Sequence, residues 1–362
     1  VAQNRLSAPL AWLWQDKPGF SNVLCFPLTL LSWCYGFVVR LRIVLYARAW
    51  LTIRRLPCHL VSIGNITAGG TGKTPMVLYF AESWQKKGYK VGIVSRGYRR
   101  KNKAAVVLVS DGMRPCATAE AVGDEPYLMA QRLSGVPIVV SADRYEGCKK
   151  LIADFAVDVI LLDDAFQHLK LHRDQNLLMI DATNPFGNGH LLPRGPLREP
   201  LAEIRRSDVV IFTRVADDFP MDDMMRHVAP FQKHMLQSHF EATALIDLAT
   251  GEVSAPAQLA GKRVRPICGI GNPEAFLQQL EHLGATLEAP LIFEDHYAYQ
   301  RSDVQHMQAE ANEKKGCWHV TTEKDAVKIK PLMRDASAIY ALRIGPVFDQ
   351  GSEALLDGLF EK

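Results

Sequence analysis

No stretch of this chain limits its fold as tightly as His59-Leu-Val-Ser-Ile-Gly-Asn-Ile-Thr-Ala-Gly-Gly-Thr-Gly-Lys-Thr-Pro75. It reads as a buried strand, a glycine-rich turn and a helix opening at Lys73. Such a turn aims the backbone N–H groups of Gly69, Gly70, Thr71, Gly72, Lys73 and Thr74 at phosphate oxygens, and the helix N-terminus adds partial positive charge. The side chains that follow suit a triphosphate such as ATP: Lys73 to bridge the β- and γ-phosphates, and Thr74 to place its hydroxyl on Mg²⁺. Pro75 is tolerated because an early helical position needs no N–H partner. The strict phosphate-loop pattern has glycine where this chain has Thr67, but Gly69, Gly70 and Gly72 still supply a flexible turn.

The partner of such a loop is an apolar strand ending in carboxylates, and Val157-Asp-Val-Ile-Leu-Leu-Asp-Asp164 has that form. Adjacent strand residues face opposite sides, so only one of Asp163 and Asp164 can point at a cation unless the chain is already turning. The reading places Asp164 near the metal with Asp163 supporting it.

Beyond residue 57, short β-rich runs alternate with helical spacing, the pattern of an α/β fold with a mostly parallel sheet covered on both faces. Strands are expected at 59–63, 91–95, 136–141, 157–163, 177–181 and 209–213, with helices at 74–87, 125–133 and 144–155 between them. A second alternating series starts near Ala242, with strands at 265–270, 291–293, 318–321 and 338–342 and helices at 273–282 and 302–315. The resulting division is an N-terminal helical segment (1–57), a phosphate-loop core domain (58–235) and a smaller C-terminal α/β domain (236–362), with no Gly/Ser/Pro-rich linker at the boundary.

Charge is distributed unevenly. The chain as a whole is +3, yet residues 1–60 alone carry +6 and the remainder −3. A basic, apolar N-terminus suits an anionic membrane surface better than nucleic acid, whose binders spread positive charge over a groove. Residues 19–39 contain no charged side chain, and Arg40 to Arg55 interleave cations with aliphatics and aromatics. Whether that segment spans a bilayer or lies in the headgroup region, both arrangements hold the following domain at the cytoplasmic face of the membrane. No small-residue cleavage site follows it, which argues against a removable signal. An amphipathic helix packed on the protein's own core is the remaining alternative. The seven cysteines form no CxxC pair and are odd in number, which argues against a disulfide framework or zinc ribbon, and each is expected as a small buried hydrophobe.

Several separate blocks then resemble the tetraacyldisaccharide 4'-kinase family of lipid A synthesis: Gly69–Pro75, Ser95-Arg-Gly-Tyr98, Gly123-Asp-Glu-Pro126, Asp163-Asp-Ala-Phe-Gln-His168, Gly187-Asn-Gly189, Gly195-Pro-Leu-Arg-Glu-Pro200, Asp295-His296 and Thr322-Glu-Lys-Asp-Ala-Val-Lys328. The first block is common among nucleotide-binding proteins and the others are more particular. Ala165 stands where the family has glycine. The resemblance implies ATP-dependent phosphorylation of the 4'-hydroxyl of an acylated glucosamine disaccharide that already bears a phosphate. It implies a proton-accepting Asp124 working with His296 of the second domain, with catalytic help from Lys73. It also implies metal or phosphate roles for Asp164, Gln167 and Glu199, and sugar or lipid-phosphate contacts from Tyr98, Arg144, His168 and Arg198. The cations Arg96, Arg99, Arg100, Lys101 and Lys103 form a solvated run that we expect to help hold the acceptor's phosphate or the membrane. The implied partners are the lipid substrate and the membrane surface, with no nucleic acid and no obligate protein partner.

A membrane switch or partitioning-type ATPase would share the loop and the strand-end acids, but it gives the Gly-Asp-Glu-Pro block and His296 no purpose. A GTPase fits less well, because Thr213-Arg-Val-Ala-Asp217 is not a guanine-reading segment. A membrane-binding module with a vestigial loop is disfavoured by the acids that remain.

Overall fold

The fold is described from a computed structural model, which covers residues 26–215, 221–232, 234–313, 316–334 and 339–361. Of the segment expected to be uncharged, residues 19–25 lie outside the described residues, as do Lys314 and Lys315 of the expected helix and Ala216 and Asp217 of the rejected guanine segment. In chain order the elements are α1 (Phe26–Ala47), β1 (His59–Asn65), α2 (Lys73–Lys86), β2 (Val91–Ser95), β3 (Val106–Asp111), α3 (Ala119–Val122), α4 (Asp124–Arg132), β4 (Pro137–Ser141), α5 (Arg144–Phe155), β5 (Val159–Asp163), β6 (Gln175–Asp181), β7 (Val209–Thr213), α6 (Met221–Val228) and β8 (Met235–Asp247). There follow β9 (Val253–Ser254), β10 (Arg263–Cys268), α7 (Pro273–His282), β11 (Thr286–Leu287), β12 (Leu291–Ile292), α8 (Arg301–Glu313), β13 (Cys317–Thr322), α9 (Glu323–Ile329), β14 (Ile339–Phe348) and α10 (Glu353–Phe360).

Alternation along the central strands places the core. Val61 and Ile63 of β1 join Val159 and Leu161 of β5 beneath α2, whose Met76, Phe80 and Trp84 fill that layer. Their neighbours Leu60, Ile160 and Leu162 face the other way, onto Cys148 and Leu151 of α5. A period of two in the strands and about 3.6 in the helices thus builds three layers around one sheet. The C-terminal helix returns to this core: Phe360 packs edge-on against Trp84, with ring centroids 5.1 Å apart.

The strands run in the order β11-β10-β13-β14-β8-β7-β6-β1-β5-β2-β4-β3. Six central strands are parallel, and β3, which the sequence reading did not anticipate, closes one edge antiparallel to β4. The 13-residue β8 joins the two halves. Its first residues pair parallel with β7, while the stretch from Ser238 onward pairs antiparallel with β14. The sheet therefore continues through the expected boundary at 235/236. In the second half Val264 and Cys268 pack on Phe276 and Leu280 of α7, and Ile267 on Val304 and Met307 of α8.

α1 is about 33 Å long at 1.5 Å per residue. It is long and apolar enough to cross a membrane. One narrow stripe touches the protein: the Ser32 hydroxyl donates to the Leu191 carbonyl (2.8 Å), and Ile43 and Tyr46 pack on Leu169. Phe26, Leu30, Leu31, Trp33, Phe37, Val38, Leu41 and Val44 face outward. The alternative of a helix packed along the protein's own core is thus met only by that stripe, and one expectation is corrected: Cys34, like Cys116, is exposed rather than buried.

Candidate active site

β1 and β5 are adjacent and parallel with Ile63 opposite Asp163, so the phosphate loop leaving one strand and the acids ending the other share one edge of the sheet. The Asp164 N–H donates to the Ile63 carbonyl at 2.9 Å, and Asp164 itself has φ +49°, so the chain turns at this residue. The positive φ of the Asp-Asp-Ala-Phe-Gln-His turn falls on Asp164, and the buried Ala165 does not need one.

The loop is braced from outside its own sequence. The Ala68 N–H donates to Pro196 (2.7 Å) and the Arg198 N–H to Ile66 (2.8 Å), which explains why the glycine-rich 187–200 segment accompanies it. Gly195 is obligatory there, since a Cβ would lie 2.3 Å from the His190 carbonyl oxygen. From β7, the Thr213 hydroxyl donates to the Thr71 carbonyl at 3.1 Å and the Arg214 guanidinium to that of Gly70 at 2.9 Å. Gly72 caps α2 with φ +78° and lies under the ring of Phe240 from β8. Thr74, in the first turn of α2, is half-buried.

Charges converge on Asp164. Arg198 donates to both of its oxygens (2.9 and 3.1 Å) and the Lys73 ammonium lies 3.6 Å away, 3.3 Å from the Asn65 side-chain oxygen. Burial would raise the Asp164 pKa, but the charges of Lys73 and Arg198 bring it below the ordinary carboxylate value. Asp163 is the opposite case. One oxygen accepts from the Ser95 hydroxyl (2.7 Å), the other is buried without a partner, and burial with the nearby Glu125 and Asp164 charges raises its pKa.

Arg144 is buried, and its guanidinium donates to the carbonyls of Ser141 (2.9 Å), Asp163 (3.1 Å) and Asp164 (3.4 Å), tying three strand-end residues together. Glu199 is buried against Arg206, and burial raises its pKa. Gln167 donates to the Asn65 carbonyl at 2.9 Å. His168 is half-buried, its Nε2 without a partner, and burial together with the Arg144 charge lowers its pKa to about 4. α1 touches the same region: the Tyr35 hydroxyl donates to the Arg198 carbonyl (2.8 Å) and Arg42 to that of Gln167 (3.0 Å).

A second cluster lies between the two halves of the chain. Asp124 opens α4, and its Oδ2 lies 3.3 Å from Nδ1 of His296, 172 residues away. Lys328 is 3.6 Å from the same oxygen, Lys324 lies 3.2 Å from His296 Nε2, and the exposed Tyr98 ring stands 5.6 Å from the imidazole. Burial opposes ionisation of Asp124, but the His296 hydrogen bond and the charges of Lys328 and Lys324 bring its pKa below the usual range. Glu125, 3.6 Å from Lys324, connects this cluster to Asp163, whose pKa its charge raises.

Lys324 and Lys328 lie in the Thr322–Lys328 block, and the sequence alone assigns no role to either. Their i, i+4 spacing on α9 was the available signal. Ser95, Asn65 and Arg214 carried no local signal. The basic run after β2 is less uniform than expected: Arg100 is buried and donates to the Ala104 carbonyl (2.9 Å), whereas Arg99 reaches the Asp295 carbonyl at 3.5 Å.

Comparison with known proteins agrees with this arrangement. The family model described as LpxK, tetraacyldisaccharide-1-P 4'-kinase, matches residues 24–361. The tetraacyldisaccharide 4'-kinase of Syntrophus aciditrophicus is 39% identical, the alignment covering 88% of this chain and 89% of that protein. That of Anaeromyxobacter dehalogenans is 36% identical over 94% of this chain and 92% of its own length. Among solved structures, LpxK from Aquifex aeolicus in complex with ATP superposes with a TM-score of 0.74 at 32% identity, covering 93% of this chain and 98% of that one. A phosphate loop beside strand-end acids, an aspartate–histidine pair drawn from the two halves of the chain and family likeness along nearly the whole sequence lead to one assignment: this chain belongs to the tetraacyldisaccharide-1-P 4'-kinase family.

Proposed function

We propose that the protein transfers the γ-phosphoryl group of ATP to the 4'-hydroxyl of a tetraacylated glucosamine disaccharide 1-phosphate at the cytoplasmic face of the inner membrane. In this reading Asp124 accepts the hydroxyl proton. The observation that carries it is the Asp124–His296 pair, brought together from opposite halves of the chain, with Glu125 linking its cluster electrostatically to the strand-end Asp163. ATP is the donor because the Aquifex aeolicus relative binds it and because the loop, Lys73 and helix α2 form an anion cradle.

Phosphoryl transfer through a loose transition state depends on positioning and charge stabilisation, with late removal of the acceptor's proton. The depressed Asp124 pKa keeps the carboxylate ionised at neutral pH and ready to accept. His296 fixes the orientation of that carboxylate, while Lys73 and the N–H groups of 69–74 stabilise charge on the phosphates. We assign sugar or phosphate contacts to Tyr98, beside His296, and to His168 and Arg198, near the seat of α1, and a supporting role under the strand ends to Arg144.

Asp163, with a buried oxygen lacking a partner, fits a cation beside the loop. Among the described residues no group of three or more His, Cys, Asp or Glu side chains could hold a metal. That suits Mg²⁺, which usually takes one or two carboxylates together with phosphate oxygens and water. Thr74, Asp163 and Asp164 would hold it, with Gln167 and Glu199 around them, and bound there it would neutralise charge on the β- and γ-phosphates. The outward apolar face of α1, next to Gln167 and Arg198, suits an acceptor presented from the bilayer.

The test is transfer of radiolabelled γ-phosphate to the disaccharide lipid in detergent. Asp124→Asn should lose about 10²- to 10⁴-fold in kcat while still binding ATP. Label released only to water, or an Asp124→Asn variant of full activity, would refute the assignment.

A further inference from the structure

We propose that Lys324 sets the tautomer of His296, so that the imidazole donates from Nδ1 to Asp124 and accepts at Nε2; this rests on the reading of Asp124 as the proton acceptor. The Lys324 Nζ is 3.2 Å from His296 Nε2. It is also 3.1 Å from an Asp295 oxygen and 3.6 Å from a Glu125 oxygen. A lysine ammonium has three N–H donors and no acceptor, and these two carboxylates stand where they accept from it. A contact between Lys324 and Nε2 therefore requires a lone pair on Nε2, and the imidazole's single proton goes to Nδ1. Nδ1 is the nitrogen 3.3 Å from Asp124 Oδ2, so donor meets acceptor at both ends of the ring. In the other tautomer an N–H would face the ammonium while a lone pair faced the carboxylate.

The carboxylate that competes for an Nε2 proton stands farther off than the lysine. Asp295 Oδ2 is 3.9 Å from Nε2, beyond hydrogen-bond range, while the Lys324 ammonium binds the other oxygen of that carboxylate. From α4 the ring faces Asp124, from the loop after β2 it faces the uncharged Tyr98 ring, and from α9 it faces Lys324. Lys328 lies 3.6 Å from the Asp124 carboxylate and otherwise bonds the Tyr297 carbonyl (3.0 Å) and Asp325 (3.1 Å). The backbone holds the ring in place, with His296 at φ +63° and its N–H donating to the Gly269 carbonyl at 3.3 Å. The Thr322 side chain caps α9 and sets Lys324 in the first turn. Lys324 is thus a positioning residue. It keeps the Nδ1 proton on one oxygen of Asp124 and leaves the other for the sugar hydroxyl.

The test uses the full chain in detergent, labelled with ¹⁵N-histidine, with the His296 signal identified by its loss in His296→Gln. The expected wild-type spectrum shows a protonated Nδ1 and a bare Nε2. Lys324→Met should shift the proton toward Nε2 and lower kcat about 10- to 100-fold, less than removal of the base itself, with KM for ATP and lipid within about threefold. Lys324→Arg, which keeps a charged donor, should restore most of kcat. A wild-type imidazole protonated at Nε2 overturns the proposal and needs no variant to fold. So does a Lys324→Met enzyme with unchanged tautomer and kcat. Full activity in Asp124→Asn would instead sink the proton-acceptor reading, whatever the tautomer.

Discussion

Replacing Arg132 with methionine tests the joint between the two halves of the chain. Arg132 ends α4, the helix that begins with Asp124, and Glu323 begins α9, the helix that carries Lys324 and Lys328. The guanidinium lies 3.3 Å from a Glu323 oxygen and also donates to the Ile344 carbonyl at 3.3 Å. The side chains are 11% and 12% exposed, so the pair is nearly dry. Removing one member of a buried pair costs about 3–5 kcal/mol when the other is left alone. Here it is not alone, because Arg343 still holds Glu323 at 2.8 Å. Glu82, 3.4 Å from Arg132 but 38% exposed, adds little. Together these place the loss at about 2–3 kcal/mol. At about 2 °C per kcal/mol for a chain of this size, melting should fall by about 4–6 °C. Activity should fall about tenfold, since a small displacement of a catalytic group is costly. Thermal melts and kcat of Arg132→Met, Glu323→Gln and the double variant measure both effects, with a coupling energy of about 1–3 kcal/mol expected between the sites. An Arg132→Met enzyme that melts and turns over like the parent would refute the argument.

Three further outcomes follow from the geometry. Gly72→Ala forces a Cβ into the left-handed region, at about 1–2 kcal/mol, and to within 2.3 Å of the Phe240 ring, so ATP affinity measured by calorimetry should fall at least about tenfold. For His168 the folded pKa, about 4, lies below the ordinary 6.5, so the stability it contributes is complete above pH 6.5 and is lost as pH falls toward 4. The loss should reach about 3 kcal/mol in denaturant titrations, and His168→Gln should flatten that dependence. Trp33 and Phe37 are each about two-thirds exposed on the outer face of α1, so changing both to aspartate should weaken sedimentation with anionic vesicles at least about tenfold without altering the melting temperature.

What the sequence determined by itself was local. A strand, a glycine turn and Gly-Lys-Thr can be read from residues 59–75 because strand period, glycine freedom and the helix N-terminus act over a few neighbours. The apolar strand ending in Asp163 and Asp164 was legible for the same reason. Four strands were not, the two-residue β9 and β11 and the longer β3 and β8. Val106–Asp111 follows a charged run, and its edge position shows only in its pairing with β4. Met235–Asp247 mixes polar and apolar residues, and its service to both halves of the sheet shows only in its pairing with β7 and β14. The tertiary structure alone decided which charges meet. Nothing near Arg198 indicates that it grips Asp164 and nothing near Arg144 that its guanidinium turns inward onto carbonyls, while the meeting of His296 with Asp124 was implied by the family resemblance and not by the residues around either. Those contacts depend on strand order and on the seating of α9 against α4. Long-range packing sets both, and short-range spacing along the chain carries no record of it.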